Sequence, residues 1–253
     1  MGRRRCIAIA GLVFGIVTAA CNATVPSATP GRSGGPAAPS EPPGSPAASL
    51  PTTGHIVATD RGFSVTIPAG WTRVDIGPDT MAEIERIHGS ALAGAEQTAL
   101  DNTVKRYQAV ALLDRLSSPV LAIRVPSATD SALGFIAVAN VRLTGTVTPD
   151  QAEATILSQL RSTLNAKITI TTSHVSGPAG RFLRIAYDAA IAGTTTNIGV
   201  IAYDVIGPAS AITVTCTTFG PGSTLVEPCA ATALSSRFEP ETTSSSPKAS
   251  PSN

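Results

Sequence analysis

Hydrophobic residues divide the chain into four stretches of different character. An uninterrupted apolar run covers Cys6–Thr18, and residues 22–54 consist mainly of Pro, Ser, Ala, Thr and Gly. From about residue 55 to residue 240, apolar residues recur with the periods of strands and helices, and residues 241–253 are polar again. Because such periodicity is the main local signal of secondary structure, a single globular domain is expected in the third stretch, 55–240.

Strand patterns begin this domain and recur along most of it. Phe63–Ile67 alternates strictly between apolar and polar residues, and Pro68-Ala-Gly-Trp71 then turns into a second short strand that ends near Val74. Six further segments have strand character: Pro119–Val125, Phe135–Leu143, Lys167–Val175, Arg181–Ile191, Asn197–Val205 and Ala211–Thr218. In the fourth of these, Arg184 and Asp188 alternate with apolar residues, so one face should be packed and the other wet. The last four strands are separated by closely spaced Gly and Pro turns, which favours an antiparallel meander.

Helical patterns lie between the strands and after them. The clearest begins at Thr148-Pro149-Asp150-Gln151, which offers a cap hydroxyl, a proline in the first turn and a Gln three residues after the Thr. Ala152, Ile156, Leu160 and Leu164 follow at helical spacing. Three other helices are predicted: one opened by a capping box of Thr80 and Glu83, one from about Ala99 to Leu116, and one from about Glu227 to Ser236. The fold class is therefore α+β, with helices packed on an antiparallel sheet.

The first 21 residues have the organisation of an export signal. The chain begins with the positively charged segment Met1-Gly-Arg-Arg-Arg, and the apolar run Cys6–Thr18 comes next. This run is shorter than the roughly 20 apolar residues that span a bilayer. It is followed by Ala19-Ala20-Cys21. Small residues before a cysteine resemble a lipobox, at which the signal is cleaved and the cysteine is lipidated. Thr18 departs from that pattern, which usually has an aliphatic residue, so a secretory peptide cleaved near Ala20 is the alternative. We predict a signal peptide at 1–20 and a palmitate-type anchor on Cys21, which would hold the protein on the extracytoplasmic face of the cell membrane.

Composition predicts a tether between this anchor and the domain. Residues 21–54 cannot bury enough apolar surface to offset the entropy lost on ordering, so they are expected to be a disordered linker, as is the tail 241–253. A flexible coil of this length spans roughly 30 Å on average and about 100 Å when fully extended as polyproline II. The domain could therefore stand away from the membrane surface.

Besides the lipidated Cys21, two cysteines remain after export, Cys216 and Cys229, with twelve residues between them. In an oxidising compartment such a pair predicts a disulfide, and closing a loop of this size contributes about 3 kcal/mol of stability in the chain-entropy model. A metal site is the alternative, but no His or carboxylate cluster accompanies the pair. If both residues bond, the last strand is linked to the last helix.

Catalytic motifs are missing from the sequence. His55, His88 and His174 lack the spacing of zinc ligands, and neither a nucleophile elbow nor a nucleotide-binding loop occurs. The carboxylates of Glu83, Glu85, Asp75 and Asp79 are better interpreted as solvated charges than as a glycosidase pair. Trp71, the only tryptophan, is interpreted as a core residue rather than a ligand-stacking one. A net charge of +1 without a basic patch argues against nucleic acid, and no cofactor or metal is expected.

Three short motifs resemble the PsbP-like fold and, within it, the LpqN-like lipoproteins of actinobacteria. They are Gly62-Phe-Ser-Val-Thr-Ile-Pro-Ala-Gly-Trp71, the helix start at Thr148-Pro149-Asp150-Gln151-Ala152, and the strand Ile212–Thr218 with a helix ending in Ser236-Arg-Phe-Glu-Pro240. The resemblance covers most of the domain and implies an αβα sandwich with a curved antiparallel sheet. Its members are mainly accessory or binding proteins without a shared catalytic motif, so no catalytic residue is carried over.

Three functional hypotheses follow from these features. The first is a lipid-anchored, non-enzymatic accessory or binding protein that contacts envelope proteins or envelope lipids. The second is a carrier that holds an envelope lipid in an apolar cavity between sheet and helices, since small Ala, Val and Thr side chains could leave such a space. The third is a hydrolase. The anchor, the tether and the absence of catalytic motifs favour the first.

Overall fold

The protein is described by a computed structural model that covers residues 53–89, 94–113, 119–126, 132–143, 145–164, 167–190, 197–219 and 222–240. The predicted signal peptide at 1–20, Cys21, nearly all of the linker and the tail lie outside these residues and stay predictions. Among the residues described, no helix combines the length and the apolar character that crossing a membrane requires.

The strands of the described residues form two antiparallel sheets. The smaller sheet has the order β1-β2-β10, with strands Gly54–Ala58, Phe63–Ile67 and Arg237–Phe238. The larger sheet is curved and has the order β3-β4-β5-β9-β8-β7-β6. In chain order its strands are β3 Trp71–Val74, β4 Val120–Arg124, β5 Gly134–Arg142, β6 Thr171–Gly177, β7 Gly180–Ala190, β8 Asn197–Ile206 and β9 Ser210–Phe219.

Helices cover both faces of the larger sheet. They are α1 Thr80–His88, α2 Gly94–Leu113, α3 Pro149–Thr163 and α4 Val226–Ser235, and short 3-10 turns occupy Thr59–Arg61 and Gly222–Leu225. Side chains of α1, α2 and α3 pack on one face, while α4 and the smaller sheet pack on the other. The α+β class predicted from the sequence is confirmed.

Strand β9 shows how the core is divided between the two faces. It lies between β5 and β8, and its residues 211–218 are paired with a neighbouring strand on each side. Ile212, Val214 and Cys216 belong to the apolar cluster shared with α4 and the smaller sheet, whereas Ala211 belongs to the cluster under α3. Because successive side chains of a strand point to opposite faces, one central strand supports both halves of the core.

The start of α3 matches its prediction. The Thr148 hydroxyl accepts a hydrogen bond from the Gln151 amide at 3.3 Å, and the Gln151 side chain accepts one from the Thr148 amide at 3.1 Å. Ala152, Ile156 and Leu160 are at most 2% exposed. The predicted capping box and the predicted buried face of this helix are confirmed.

The capping box predicted for the first helix is wrong. Asp79, not Thr80, occupies the cap position of α1, and its side chain makes no capping hydrogen bond. The buried Thr80 hydroxyl instead accepts the Gly77 amide at 2.7 Å, so it holds the preceding loop. Glu83 turns outward and pairs with Arg86 at 2.6 Å.

Several predicted boundaries shift once the tertiary structure is known. Helix α2 begins at Gly94, five residues before the predicted Ala99, and its predicted continuation to Leu116 runs beyond the described Leu113. Strand β6 begins at Thr171 rather than Lys167. Strands β1 and β10 were not predicted, because each is short and is defined by its pairing with β2 rather than by its own pattern.

Candidate functional site

A ridge on the α4 face separates two open grooves. The ridge is the segment Gly222–Ala231, which comprises the 3-10 turn and the first part of α4. The disulfide between Cys216 of β9 and Cys229 of α4, with an S–S distance of 2.06 Å, fixes the ridge to the centre of the sheet. Leu225 and Cys229 are fully buried beneath it. The side chains that remain exposed include Ser223, Thr224, Val226 and Glu227.

The first groove, called the Trp71 groove, lies between the ridge and the turn that joins β2 to β3. Its volume is about 480 Å³. The walls combine small apolar residues with two charged side chains. They are formed by Pro68, Ala69, Gly70, Trp71, Arg124, Val125, Thr224, Glu227, Pro228 and Ala231.

Arg124 is held firmly in the floor of the Trp71 groove. Its guanidinium carbon lies 5.3 Å from the centroid of the Trp71 ring, and it donates a hydrogen bond to the Thr224 hydroxyl at 3.4 Å. Arg124 is 7% exposed and Trp71 is 4% exposed. A cation stacked on an indole ring in such a desolvated place is stabilised by the ring quadrupole, by up to about 2 kcal/mol. Gly134 leaves the space for this pair, since a Cβ there would lie 3.2 Å from both Arg124 Nε and Trp71 Cη2.

The predicted tether enters the domain beside this groove. Strand β1 begins at Gly54, whose partner in the antiparallel register is Ile67. Strand β1 therefore begins at the end of β2 that leads into Pro68, which belongs to the groove wall. Any anchor at the N-terminal side of the chain would be joined to the domain at this end.

The second groove, called the Arg184 groove, lies on the other side of the ridge, over β7 and β8. Its volume is about 320 Å³. Hydroxyl groups and opposite charges line it, with the half-buried Arg184 near its centre. The lining residues are Thr169, Thr171, Arg184, Ala186, Tyr187, Asp188, Val200, Ile201, Gly222, Ser223 and Val226. In the described part of the chain, Arg184 makes no hydrogen bond or ion pair, so its guanidinium donors are available to a ligand.

Close backbone contact builds the wall of the Arg184 groove. The Asp188 carboxylate accepts a hydrogen bond from the Gly222 amide at 3.0 Å, which joins β7 to the ridge. Strand β8 passes under the same point at Gly199, where an added Cβ would lie 2.2 Å from the Gly222 nitrogen. Such a distance is far inside van der Waals contact, so this approach requires glycine at position 199.

The structure places the sequence-predicted residues as follows. Cys216 and Cys229 are bonded, as their spacing predicts, whereas Cys21 lies outside the described residues. His55, His88 and His174 stand on β1, at the end of α1 and on β6, in three separate places. Among the described residues, no group of three or more His, Cys, Asp or Glu side chains could hold a metal ion. Trp71 is buried in the core cluster, as expected.

Arg124 is the residue of this surface that the sequence analysis missed. It stands inside a predicted strand, and the strand pattern does not tell whether a charge there is solvated or stacked on a ring. The face of β7 predicted to be wet is wet only in part: Arg184 and Asp188 line one groove, whereas Phe182 on the same face is buried in the core cluster. The only sign of the role of Arg124 in the sequence is that it is the single charged residue of the otherwise apolar strand Val120–Arg124.

Comparisons with known proteins add a distant likeness to solved structures. No family model matches the chain, and no curated protein matches it. Among solved structures, the chain is similar to LpqN of Mycobacterium tuberculosis, described as involved in cell envelope biogenesis. The TM-score is 0.41 and the identity 9%, with 70% of this chain and 83% of that chain covered. At these values the likeness is distant, and the membership suggested by the short motifs stays a prediction.

Proposed function

We propose that the protein is a lipid-anchored, non-enzymatic accessory protein of the cell envelope that binds a partner on the surface around the ridge. The observation that carries the proposal is the pair of grooves, of about 480 and 320 Å³, on either side of one disulfide-fixed segment. Two adjacent concavities on a rigid support are suited to recognition. The predicted tether leads into β1, whose first residue pairs with Ile67, and Pro68 of the larger groove follows Ile67 in the chain.

The side chains of the grooves favour binding over catalysis. A guanidinium, a carboxylate, hydroxyls and exposed backbone amides recognise polar groups through directed hydrogen bonds. Exposed Val125 and Val226 add apolar contact area at the two sides of the ridge. No described histidine lines either groove, so neither groove combines a hydroxyl nucleophile with the imidazole base that commonly activates it.

Membrane attachment is tested by fractionation with palmitate labelling. In the Cys21→Ser variant, the domain should move to the soluble fraction and lose the label, because a single buried acyl chain already supplies about 0.8 kcal/mol per methylene. Cys6→Ser is the matched control, since it makes the same change within the predicted signal and should leave attachment intact. A Cys21→Ser protein that stays in the membrane, together with an unlabelled wild type, would refute the anchor.

Partner binding is tested by photo-crosslinking in intact cells. A crosslinking residue is placed at Ala231, in the Trp71 groove, or at Ser223, in the Arg184 groove. Ala154, an exposed alanine on α3 at the opposite face, is the control. A defined crosslinked product from the groove positions, absent at Ala154, supports the proposal, whereas equal patterns at all three positions contradict it.

A second experiment separates a protein partner from a bound lipid. With a crosslinking residue at Glu227 in the same groove, Ala231→Trp should fill the Trp71 groove and remove the crosslinked product, while Ala154→Trp adds the same ring on the other face and should not. Native mass spectrometry of the purified full-length chain then detects any co-purifying lipid. A lipid that stays bound in both variants would place the ligand elsewhere and favour the carrier hypothesis.

A further inference from the structure

A small cavity lies on the opposite face of the sheet, beneath the first turns of α3. Its volume is about 30 Å³, which is room for about one water molecule. Ionisable side chains from four elements line it together with a few apolar ones. The lining residues are Pro149, Asp150, Glu153, Ile156, His174, Arg181, Leu183, Asp204 and Ile206.

Asp204 forms the buried wall of this cavity. It stands on β8 and is 3% exposed. Its Oδ1 accepts a hydrogen bond from the Thr213 hydroxyl on β9 at 2.7 Å, whereas its Oδ2 has no partner among the described residues. A buried carboxylate with one unpaired oxygen carries a large desolvation penalty.

Such a penalty can be reduced by a hydrogen-bonded water, a paired cation, a metal ion or a proton. No ion pair joins Asp204 to a described cation, and the neighbouring acids and His174 do not form a group able to hold a metal. A proton on Oδ2 lowers the penalty most directly, because it removes the buried charge itself. Burial accordingly raises the pKa of Asp204 to about 7, an effect that the Thr213 hydrogen bond only partly opposes.

The charged groups that share the cavity with Asp204 link its ionisation to the position of α3. Helix α3 contributes the carboxylates of Asp150 and Glu153, β6 contributes the imidazole of His174, and β7 contributes the guanidinium of Arg181. The other neighbours are uncharged: Ile206 on β8 and the Thr213 hydroxyl on β9. His174 Nε2 lies 2.9 Å from the Glu153 carboxylate, so this pair ties the edge strand β6 to α3.

We propose that Asp204 acts as a proton-operated latch that seats the first turns of α3 on the sheet in acid and loosens that seat as the pH rises. In acid, Asp204 is neutral, and the contact between Glu153 and His174 holds α3 against β6. At higher pH, Asp204 becomes an anion beside the carboxylates of Asp150 and Glu153, and the repulsion among the three carboxylates weakens the contact of α3 with the sheet.

Amide hydrogen exchange of the full-length chain tests the latch. The reporters are α3 amides such as that of Ala152, which donates to the Thr148 carbonyl at 3.0 Å. Exchange is expressed as protection factors, so that the intrinsic effect of pH is removed. Between about pH 5 and about pH 8, protection in the first turns of α3 should fall by about tenfold or more, and at both pH values the amides of β9, which open only with the whole domain, should stay better protected than those of α3.

Two variants decide the outcome. Asp204→Asn cannot ionise and should abolish most of the pH-dependent fall in α3, and Glu153→Gln should reduce it by removing one of the two carboxylates that share the cavity with Asp204. Asp60→Asn makes the same atomic change at an exposed carboxylate and should keep the wild-type profile. A profile in Glu153→Gln and Asp204→Asn equal to that of wild type would overturn the proposal. If Asp204→Asn does not fold, the wild type and Glu153→Gln still decide. The proposal is overturned if protection of the α3 amides in wild type is the same at both pH values, or if Glu153→Gln shows the same pH dependence as wild type.

Discussion

Replacing Asp204 by asparagine should remove a large part of the pH dependence of global stability. The substitution keeps the oxygen that accepts the Thr213 hydroxyl at 2.7 Å and exchanges the unpaired Oδ2 for an amide group facing the small cavity. Shape and volume hardly change, so the difference between the two proteins reports the ionisation of one side chain.

The magnitude follows from the two pKa values of the carboxyl group. Burial raises the pKa of Asp204 from its ordinary 3.8 to about 7 in the folded protein. Because the folded value is the higher one, the stabilisation is fully present below the unfolded pKa and is lost as the pH rises through the folded pKa. Each pKa unit corresponds to about 1.4 kcal/mol, so the loss across this window amounts to about 4 kcal/mol at most. Relaxation around the charge and entry of water would reduce that figure.

Denaturant unfolding at a series of pH values measures the effect, with the disulfide kept intact. The free energy of unfolding of wild type relative to Asp204→Asn should decline steadily between about pH 4 and about pH 7 and be level above that window. Other carboxyl groups titrate in both proteins and cancel in the difference. Asp60→Asn serves as the control for the same change at an exposed site.

Parallel stability curves for wild type and Asp204→Asn would refute the reasoning. That result would mean that Asp204 ionises in the folded protein as readily as in the unfolded chain, so that water or a cation reaches its second oxygen. If the free energy of unfolding of wild type instead increases relative to that of Asp204→Asn as the pH rises, the folded state favours the ionised carboxylate.

Three further predictions concern stability alone. Replacing Cys216 and Cys229 together by alanine should lower the free energy of unfolding by about 3 kcal/mol, since the disulfide closes a short loop. Denaturant unfolding measures this loss, and a value below about 1 kcal/mol would contradict the prediction. Gly199→Ala should lower the free energy of unfolding by more than about 2 kcal/mol, because the added Cβ would lie 2.2 Å from the Gly222 backbone. In the control Gly77→Ala, the added Cβ has nothing within 4 Å, so the midpoint of a thermal melt should change far less. Tyr107→Phe should be neutral or stabilising by up to about 1 kcal/mol, since the buried hydroxyl has no partner among the described residues; a clear loss of stability would reveal a partner.

The elements predicted best are those whose sequence pattern and tertiary role agree. In α3 the cap at Thr148, the proline after it and the apolar residues at Ala152, Ile156 and Leu160 all indicate one helix with one buried face, and the structure has it. Thr80 shows the opposite case. A local pattern favoured a capping box, but the loop before α1 takes up the hydroxyl because Thr80 is buried against it.

The candidate surface was predicted only in part, because its residues come from distant parts of the chain. The polar residues Arg184 and Asp188 on one face of β7 follow from alternation along one strand. The stacking of Arg124 on Trp71 joins β4 to β3 and depends on the absence of a side chain at Gly134 in β5. Asp204 likewise stands in a strand whose pattern is apolar, and only the packing of α3 above it decides that its carboxyl group is buried.

The sequence by itself determined the α+β class, most strands, the cap of α3 and the pairing of Cys216 with Cys229, because these depend on periodicity, local hydrogen bonds and short spacings. It also supplies the prediction of export and anchoring at Cys21. The tertiary structure decided which charges are buried, where the two grooves lie and that short strands β1 and β10 exist at all. The physical reason is that burial and concavity are produced by contacts between segments far apart in the chain, which no local pattern contains.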